Sequence, residues 1–471
     1  MKLYFHGFGM LFKRFILRQN TGKVICDFAE KMGVVYVKMA QILAMQNYGK
    51  IFTENDRQHL AKICDNCNPI SFKKIRQQLE REYGCPLEEK FAEISETPLG
   101  AASISQVHRA TLLDGREVAV KIKRHDVTRR VQRDVRQIRR MIHRFGRFAY
   151  FRNLLGSDKA LDLWAKWIES ETDFRSEQRN LQHYREFVAT VNGKVKSAAN
   201  LVVPELYAEY CTENVIVMEY VSAPTINQIP LTPENKTRLA KAINDYASLS
   251  FYALLHEMPI TFHGDPHSGN IYLDEAGNVG FLDLGLMFSF TPDEADFVRR
   301  LFLCAYNVRT DKLIELLLKD SDYTAFDHSE FRAAIEAEIQ RFQSIPVTQF
   351  FVEMIMVYTK YNIAPPEVLF KMAKAFIALY GINNFINNTV DTKELLMGQV
   401  IEYYVDRAAK DLKTIIHTGG DILPDVLTAV SEQGLSHGIA TGIQTIGKLH
   451  EEFGQILENC QEILALFRSR N

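Results

Sequence analysis

The densest run of chemistry-bearing residues is His263-Gly264-Asp265-Pro266-His267-Ser268-Gly269-Asn270, followed by Asp283-Leu284-Gly285. Asn270 lies five positions after Asp265, and Asp283 thirteen after Asn270. Phosphoryl transfer asks for such a kit. One carboxylate sits beside the attacking oxygen, and hard oxygen donors hold metal ions that neutralise charge on the phosphates. In this reading Asp265 orients or deprotonates the nucleophile, and Asn270 and Asp283 are the ligands of Mg2+. A short His-x-Asp string alone says little. It gains meaning because Ile271 to Leu273, a turn at Asp274 to Gly277, and Val279 to Leu282 read as a tight hairpin joining Asn270 to Asp283.

A second signal lies upstream. Val118-Ala119-Val120-Lys121-Ile122 places a lysine on a β-branched strand, where it can grip the α/β-phosphates of ATP. Such a lysine needs a carboxylate from a helix. Glu171-Thr172-Asp173-Phe174-Arg175-Ser176-Glu177 offers three: Glu171, Asp173 and Glu177. At about 100° per residue, positions 171 and 173 would fall on different faces of a helix. Before the lysine strand stands Gly100-Ala101-Ala102-Ser103, where a phosphate-covering loop belongs. Alanine avoids positive φ, so Ala101, Ala102 and Ser103 must cradle phosphates with backbone N–H groups or the Ser103 hydroxyl. Glu219 and Val221, at the end of the apolar run from Val215, complete the candidate nucleotide-binding set.

Two absences matter equally. Gly264 replaces an arginine before Asp265. A helix start at Thr291-Pro292-Asp293-Glu294, with proline at the first position and a capping box, follows Asp283 by only eight residues. That leaves almost no room for the long segment on which a protein kinase docks a peptide.

The elements that must position these groups can be read coarsely. Residues 1–95 read as helical, with Ile75 and Leu79 at helical spacing, Ser71 at a cap and Gly84 at a C-terminal stop. Val118 to Ile122 and Val215 to Val221 read as strands, Ala240 to Leu255 as a helix, and everything after Thr291 as helical. Asp126 to Phe151 is an arginine-rich helix whose Val131, Val135 and Ile138 form an apolar stripe; its basic face reads as solvated, or as a surface for anionic headgroups. The first 18 residues mix phenylalanines with Lys and Arg, as a docked or interfacial amphipathic helix would. The 471 residues carry 46% hydrophobic and 24% charged side chains and a net charge of −2, which excludes disorder and gives no electrostatic argument for nucleic acid. No stretch reaches the ~20 apolar residues of a membrane span, and no signal-peptide pattern opens the chain. Seven irregularly spaced cysteines suit a reducing cytosol; Cys64 and Cys67, with His59 and Cys85 nearby, lack a second pair to close a zinc site.

Together these residues resemble the UbiB/AarF family of atypical kinases, associated with coenzyme Q biosynthesis. The likeness covers about residues 30–390 and follows family order. Lys38-Met39-Ala40-Gln41 is similar to the KxGQ motif, Gly100-Ala101-Ala102-Ser103 to the Ala-rich loop, and Glu171-Thr172-Asp173 to the ExD motif. Ala40 stands for the motif glycine, and Gly100 for the first loop alanine. The resemblance implies an α+β, protein-kinase-like two-lobe fold with an N-terminal helical extension and a C-terminal helical tail. The implied divisions are 1–95 (extension), 96–222 (N-lobe), 223–390 (helical C-lobe) and 391–471 (tail, with Asp421, Asp425, Glu432, Glu451, Glu452 and Glu458). It implies that Lys121 pairs with Glu177, and that Lys38, with Glu171 and Asp173, covers the catalytic centre. It further implies an ATP- and Mg2+-dependent kinase or ATPase in ubiquinone or membrane-lipid metabolism, with little phosphorylation of proteins in trans. Its expected partners are ATP, lipid or quinone intermediates, a membrane surface or a biosynthetic complex, with a cytoplasmic or peripheral-membrane location. Two other readings compete: a small-molecule kinase of the aminoglycoside or choline type, which the string His263-Gly264-Asp265-Pro266-His267 also suits, and a nucleotide-binding pseudokinase scaffold. Turnover dependent on one soluble hydroxyl compound would mark the first, and nucleotide binding without hydrolysis the second.

Overall fold

A computed structural model describes residues 21–33, 35–40, 68–145, 165–195, 200–258, 262–319, 321–323, 326–342, 344–361, 363–364, 366–387, 393, 396–400 and 403. The first 18 residues, Gln41, His59, Cys64, Cys67, residues 146–151 and the acidic residues named in the tail lie outside them.

One sheet carries the lysine strand. β1 (Phe91–Ala101), β2 (Ser105–Leu112), β3 (Glu117–Lys123) and β5 (Val215–Glu219) form it in the spatial order β1-β2-β3-β5, antiparallel throughout. Side chains on a strand alternate between faces. Val118, Val120 and Ile122 therefore share one face with Val215 and Val217, packed with Ile75 and Leu79 of helix α2 (Phe72–Tyr83). Ala119 and Lys121 are turned to the other face. There lies α4 (Phe174–Val191), whose buried stripe of Phe174, Leu181, Tyr184 and Val188 includes one charged residue, Glu177. Parity on the strand and periodicity on the helix thus aim Lys121 and Glu177 at each other. Other early helices are α1 (Thr21–Met32), helical segments at 35–40 and 165–170, and α3 (Val127–Phe145), whose Val127, Val131, Val135 and Ile138 are buried and whose Arg129, Arg130, Arg133, Arg136, Arg139 and Arg140 are exposed.

The second half is mainly helical. α5 (Pro233–Leu255) leads to β6 (Phe262–His263), the hairpin β7 (Ile271–Leu273) and β8 (Val279–Phe281), and β9 (Met287–Phe288). β8 also pairs in parallel with β4 (Leu201–Val202), and β6 pairs with β9. Helices α6 (Pro292–Tyr306), α7 (Thr310–Lys319), α8 (His328–Phe342), α9 (Val347–Lys360) and α10 (Glu367–Ile386) complete it around an aromatic core. Phe351 and Phe376 stack there with centroids 4.8 Å apart. Among the described residues no helix is long and apolar enough to cross a membrane.

Some local expectations need correction. The helical reading of 1–95 ends early, because β1 begins at Phe91. Ser71 occupies the cap position without a side-chain hydrogen bond, whereas Gly84 adopts the left-handed stop (φ 68°). The region after Thr291 is not wholly helical: β10 (Asp322–Tyr323) and β11 (Ile363–Ala364) pair there. The expected hairpin is present, and so is the reciprocal capping box of Thr291 and Glu294.

Candidate active site

Lys121 Nζ lies 2.6 Å from Glu177 Oε1 and 2.9 Å from Asp283 Oδ2. Burial lowers its pKa, but the carboxylates of Asp283 and Glu177 outweigh that and hold it as an ammonium. Burial pushes Glu177 up to about 7; the Asp283 charge adds to this, and Lys121 opposes it. Asp283 goes the other way. Burial would raise it, yet Lys121 and the Gly285 N–H, 2.8 Å from Oδ1, hold it well below the usual carboxylate range. Phe174, the first residue of α4, lies under both Lys121 and Lys123, with ring-to-ammonium distances of 5.5 and 5.1 Å.

The hairpin brings the remaining groups together. Asn270 immediately precedes β7, and its carbonyl accepts from the Leu282 N–H at 2.8 Å, one residue before Asp283. Its side-chain amide has no hydrogen-bond partner among the described residues. His263 ties the two aspartates: Nε2–H donates to the Asp283 carbonyl, and Nδ1 accepts from the Asp265 N–H at 3.0 Å. Burial holds this imidazole neutral, below its ordinary pKa, which suits one donor and one acceptor nitrogen.

Gly264 explains the missing arginine. Its N–H donates to the Leu286 carbonyl at 2.8 Å, and a Cβ there would sit 2.6 Å from Leu286 Cγ. Leu286 and β9 occupy the space that a side chain before Asp265 would need. Leu284 is 1% exposed, an apolar plug after Asp283, and its carbonyl accepts from Asn180 Nδ2 at 2.9 Å. The segment from Asp283 to α6 is thus pinned along its length.

Over Asp265 lies a patch of alternating charge. Lys38, on the helical segment 35–40, pairs with Glu171. The neighbouring Ala40 is 1% exposed, its methyl packed in the core. Glu171 is raised above the ordinary carboxylate pKa by burial, with Lys38 opposing and Asp265 adding to it. Asp265 is depressed: burial would raise it, but the Lys374 and Lys38 ammonium groups outweigh that. Lys374 Nζ stands 3.6 Å from Asp265 Oδ1.

Asp173 is placed elsewhere. Residues 171–173 form a turn, so faces of a helix do not apply to them. Asp173 is the N-cap of α4, its Oδ1 accepting from the Ser176 N–H at 3.1 Å, and its side chain is 52% exposed.

The Ala-rich loop turns between β1 and β2. Gly100 pairs with Val107, and Val107 with Lys121, so one cross-strand row joins the loop to the lysine, over about 10 Å at two strand spacings. The Ala102 carbonyl is held by Arg124 Nε at 2.8 Å, and its N–H donates to the Ser105 carbonyl. None of residues 100–103 has positive φ. Glu219 pairs with Val118, and its carboxylate accepts from the Glu205 N–H at 3.2 Å; Val221 follows two residues on, past the end of the strand.

Two side chains at the site escaped the sequence reading: Lys374, and the buried His263 as a link between aspartates. Lys374 lies 109 positions after Asp265, and the local hint is its place in a largely apolar helical run.

Residues 62–317 match the family described as the ABC1 atypical kinase-like domain. The chain belongs to that family. Among its relatives, a Schizosaccharomyces pombe ABC1 family protein is 28% identical over 64% of this chain and 55% of its own length. An Arabidopsis thaliana chloroplastic protein, named as an uncharacterized aarF domain-containing protein kinase, is 30% identical over 56% and 36%. A probable protein kinase UbiB of Aeromonas salmonicida is 24% identical over 77% and 66%. The chain thus spans about half the length of the curated relatives it matches. Among solved structures, the complex of Mycobacterium tuberculosis Rv3197 with erythromycin aligns with a TM-score of 0.51 over 75% of this chain and 88% of that one, at 22% identity. This ABC1 chain accordingly has an α+β, kinase-like fold.

Proposed function

We propose that this ABC1 chain is an ATP- and Mg2+-dependent atypical kinase or ATPase of UbiB type. One observation carries the reading: an ammonium on a sheet, a helix carboxylate and the hairpin's Asp283 meet in one buried cluster, joined through His263 to Asp265.

The donor set fits a hard dication. Asp283 is held ionised, and Asn270, whose main chain meets Leu282, offers an unengaged amide oxygen. Asn270 and Asp283 would hold Mg2+, which would supply charge neutralisation on the phosphates. The chain's own residues do the rest. Lys121, locked by Glu177, presents a fixed positive charge to the α/β-phosphates. Asp265, kept ionised, accepts a hydrogen bond from the attacking hydroxyl and takes its proton. The Ala101 N–H or the Ser103 hydroxyl would contact phosphate oxygens, since the Ala102 N–H already donates to the Ser105 carbonyl.

The short pinned segment between Asp283 and α6, and the Lys38–Glu171 pair over Asp265, argue against a peptide acceptor. The acceptor is then water or a small or lipidic hydroxyl compound. Kinship to UbiB points to isoprenoid-quinone or membrane-lipid metabolism, in the cytoplasm or at a membrane surface, alone or within a biosynthetic complex. The exposed arginines of α3 would meet anionic headgroups there.

The test is ATP turnover with Mg2+, in the presence and absence of anionic vesicles, for the wild type and for Asp265→Asn and Asp283→Asn. Turnover abolished by both substitutions is expected. Nucleotide binding without turnover under any condition would replace the reading with a scaffold, and turnover untouched by either substitution would end it.

A further inference from the structure

Four charged side chains from four separate segments meet at Asp265: Lys38, Glu171, Asp265 itself and Lys374. Lys374 is the member without a role so far. It is no wandering surface lysine. Its side chain is 20% exposed, and α10 is bolted to the catalytic segment on either side of it. Three residues earlier, Lys371 pairs with Glu294 of the α6 capping box at 2.8 Å and reaches the Ser289 carbonyl at 3.3 Å. Two residues later, Phe376 meets Phe262, which precedes His263 and Gly264, with centroids 6.0 Å apart. The aromatic contact holds α10 against β6, which ends two residues before Asp265, and the polar one holds it to the start of α6.

We propose that Lys374 is the positioning residue for Asp265, an ammonium supplied from α10 that holds this carboxylate in place beside the acceptor. The inference deepens the phosphoryl-transfer reading and rests on it. In the step concerned, an acceptor hydroxyl, water in the simplest case, gives its proton to Asp265. Its oxygen forms the new bond to the γ-phosphorus, and the bond from that phosphorus to the bridging oxygen breaks, with ADP leaving as the anion. Asp265 can accept the proton only if it enters the step ionised and aimed. Glu171 lies near enough to disfavour a second negative charge, since two neighbouring carboxylates come to share a proton. Lys374 and Lys38 counter that, and His263 and His267 are the other titratable groups facing Asp265. Lys38 pairs with Glu171, whereas Lys374 stands 3.6 Å from Asp265 itself.

The experiment compares Lys374→Met and Lys374→Arg in the full chain. Selective 13C labelling of aspartate carboxyls, with Asp265→Asn to identify the resonance, reads the ionisation of Asp265 without any need for catalysis. Turnover of ATP against pH and calorimetric ATP affinity are measured alongside. Lys374→Met should move the Asp265 titration upward by about a unit or more, carry the acid limb of the turnover profile with it, and lower kcat by about 10- to 100-fold. ATP affinity should stay within about threefold, because Lys121 and not Lys374 holds the phosphates. Lys374→Arg should restore the titration and most of the rate. An Asp265 resonance that titrates as in the wild type, or a shifted titration with unchanged kcat, overturns the proposal. A wild type without turnover removes the phosphoryl-transfer reading, while the carboxyl titration still decides the pairing.

Discussion

Lys121→Met should be the most damaging single change in the buried triad. Lys121 and Glu177 each keep 5% of their side-chain surface, and Asp283 keeps 36%. One ammonium thus serves two carboxylates, and removing it leaves them facing each other. Breaking a buried pair in this way costs about 3–5 kcal/mol. Glu177→Gln instead removes the surplus negative charge and leaves Lys121 paired with Asp283, so about 1 kcal/mol is expected. The two changes should not add: the double variant recovers about 1–2 kcal/mol of the loss. The pH dependence has a definite sign. Glu177 is pushed up to about 7 in the folded chain, above its unfolded value. Its proton therefore binds more tightly in the folded state. The stability it lends is complete at low pH and is lost as pH rises through about 7, by roughly 3 kcal/mol at most. At about pH 5 Glu177 is protonated and hardly needs Lys121; at about pH 8 it does. Urea unfolding followed by circular dichroism at these two pH values measures both effects. A Lys121→Met chain within about 0.5 kcal/mol of the wild type at the higher pH, or equally destabilised at both, would refute the reasoning.

Three further outcomes follow from named contacts. Gly264→Ala should destabilise by about 1–3 kcal/mol in the same unfolding assay, because its Cβ would fall 2.6 Å from Leu286 Cγ while the main chains are hydrogen-bonded. Gly100→Ala should leave stability within about 0.5 kcal/mol, since Gly100 lacks positive φ and no atom lies within 4 Å of its would-be Cβ; calorimetry then reports the effect of the loop methyl on nucleotide affinity alone. Lys38→Ala should speed nucleotide exchange or raise turnover by opening the patch over Asp265, as stopped-flow release of a fluorescent ATP analogue would record.

Much of the site was legible because its signals are local. The alternation of Val118, Val120 and Ile122 already aims Lys121 away from the apolar face, and the hairpin between Asn270 and Asp283 follows from a turn of Asp274 to Gly277 between short apolar runs. Glu177, which the family resemblance already paired with Lys121, is also the one charge in an otherwise apolar helical stripe. What could not be read was tertiary. The largely apolar run around Lys374 marks α10 as buried but does not show that it returns to Asp265. Asp173 illustrates the reverse. Its place in a recognisable motif suggested a meeting with Lys38, but one residue decides between helix and cap, and a cap carboxylate serves its own helix's N–H groups.

The most direct measurement is a crystal structure with Mg2+ and a non-hydrolysable ATP analogue. Asn270 and Asp283 sharing one cation, Lys121 on the α/β-phosphates and Asp265 facing the γ-phosphorus would be the predicted result. A nucleotide bound elsewhere, or a cation touching neither Asn270 nor Asp283, would contradict it.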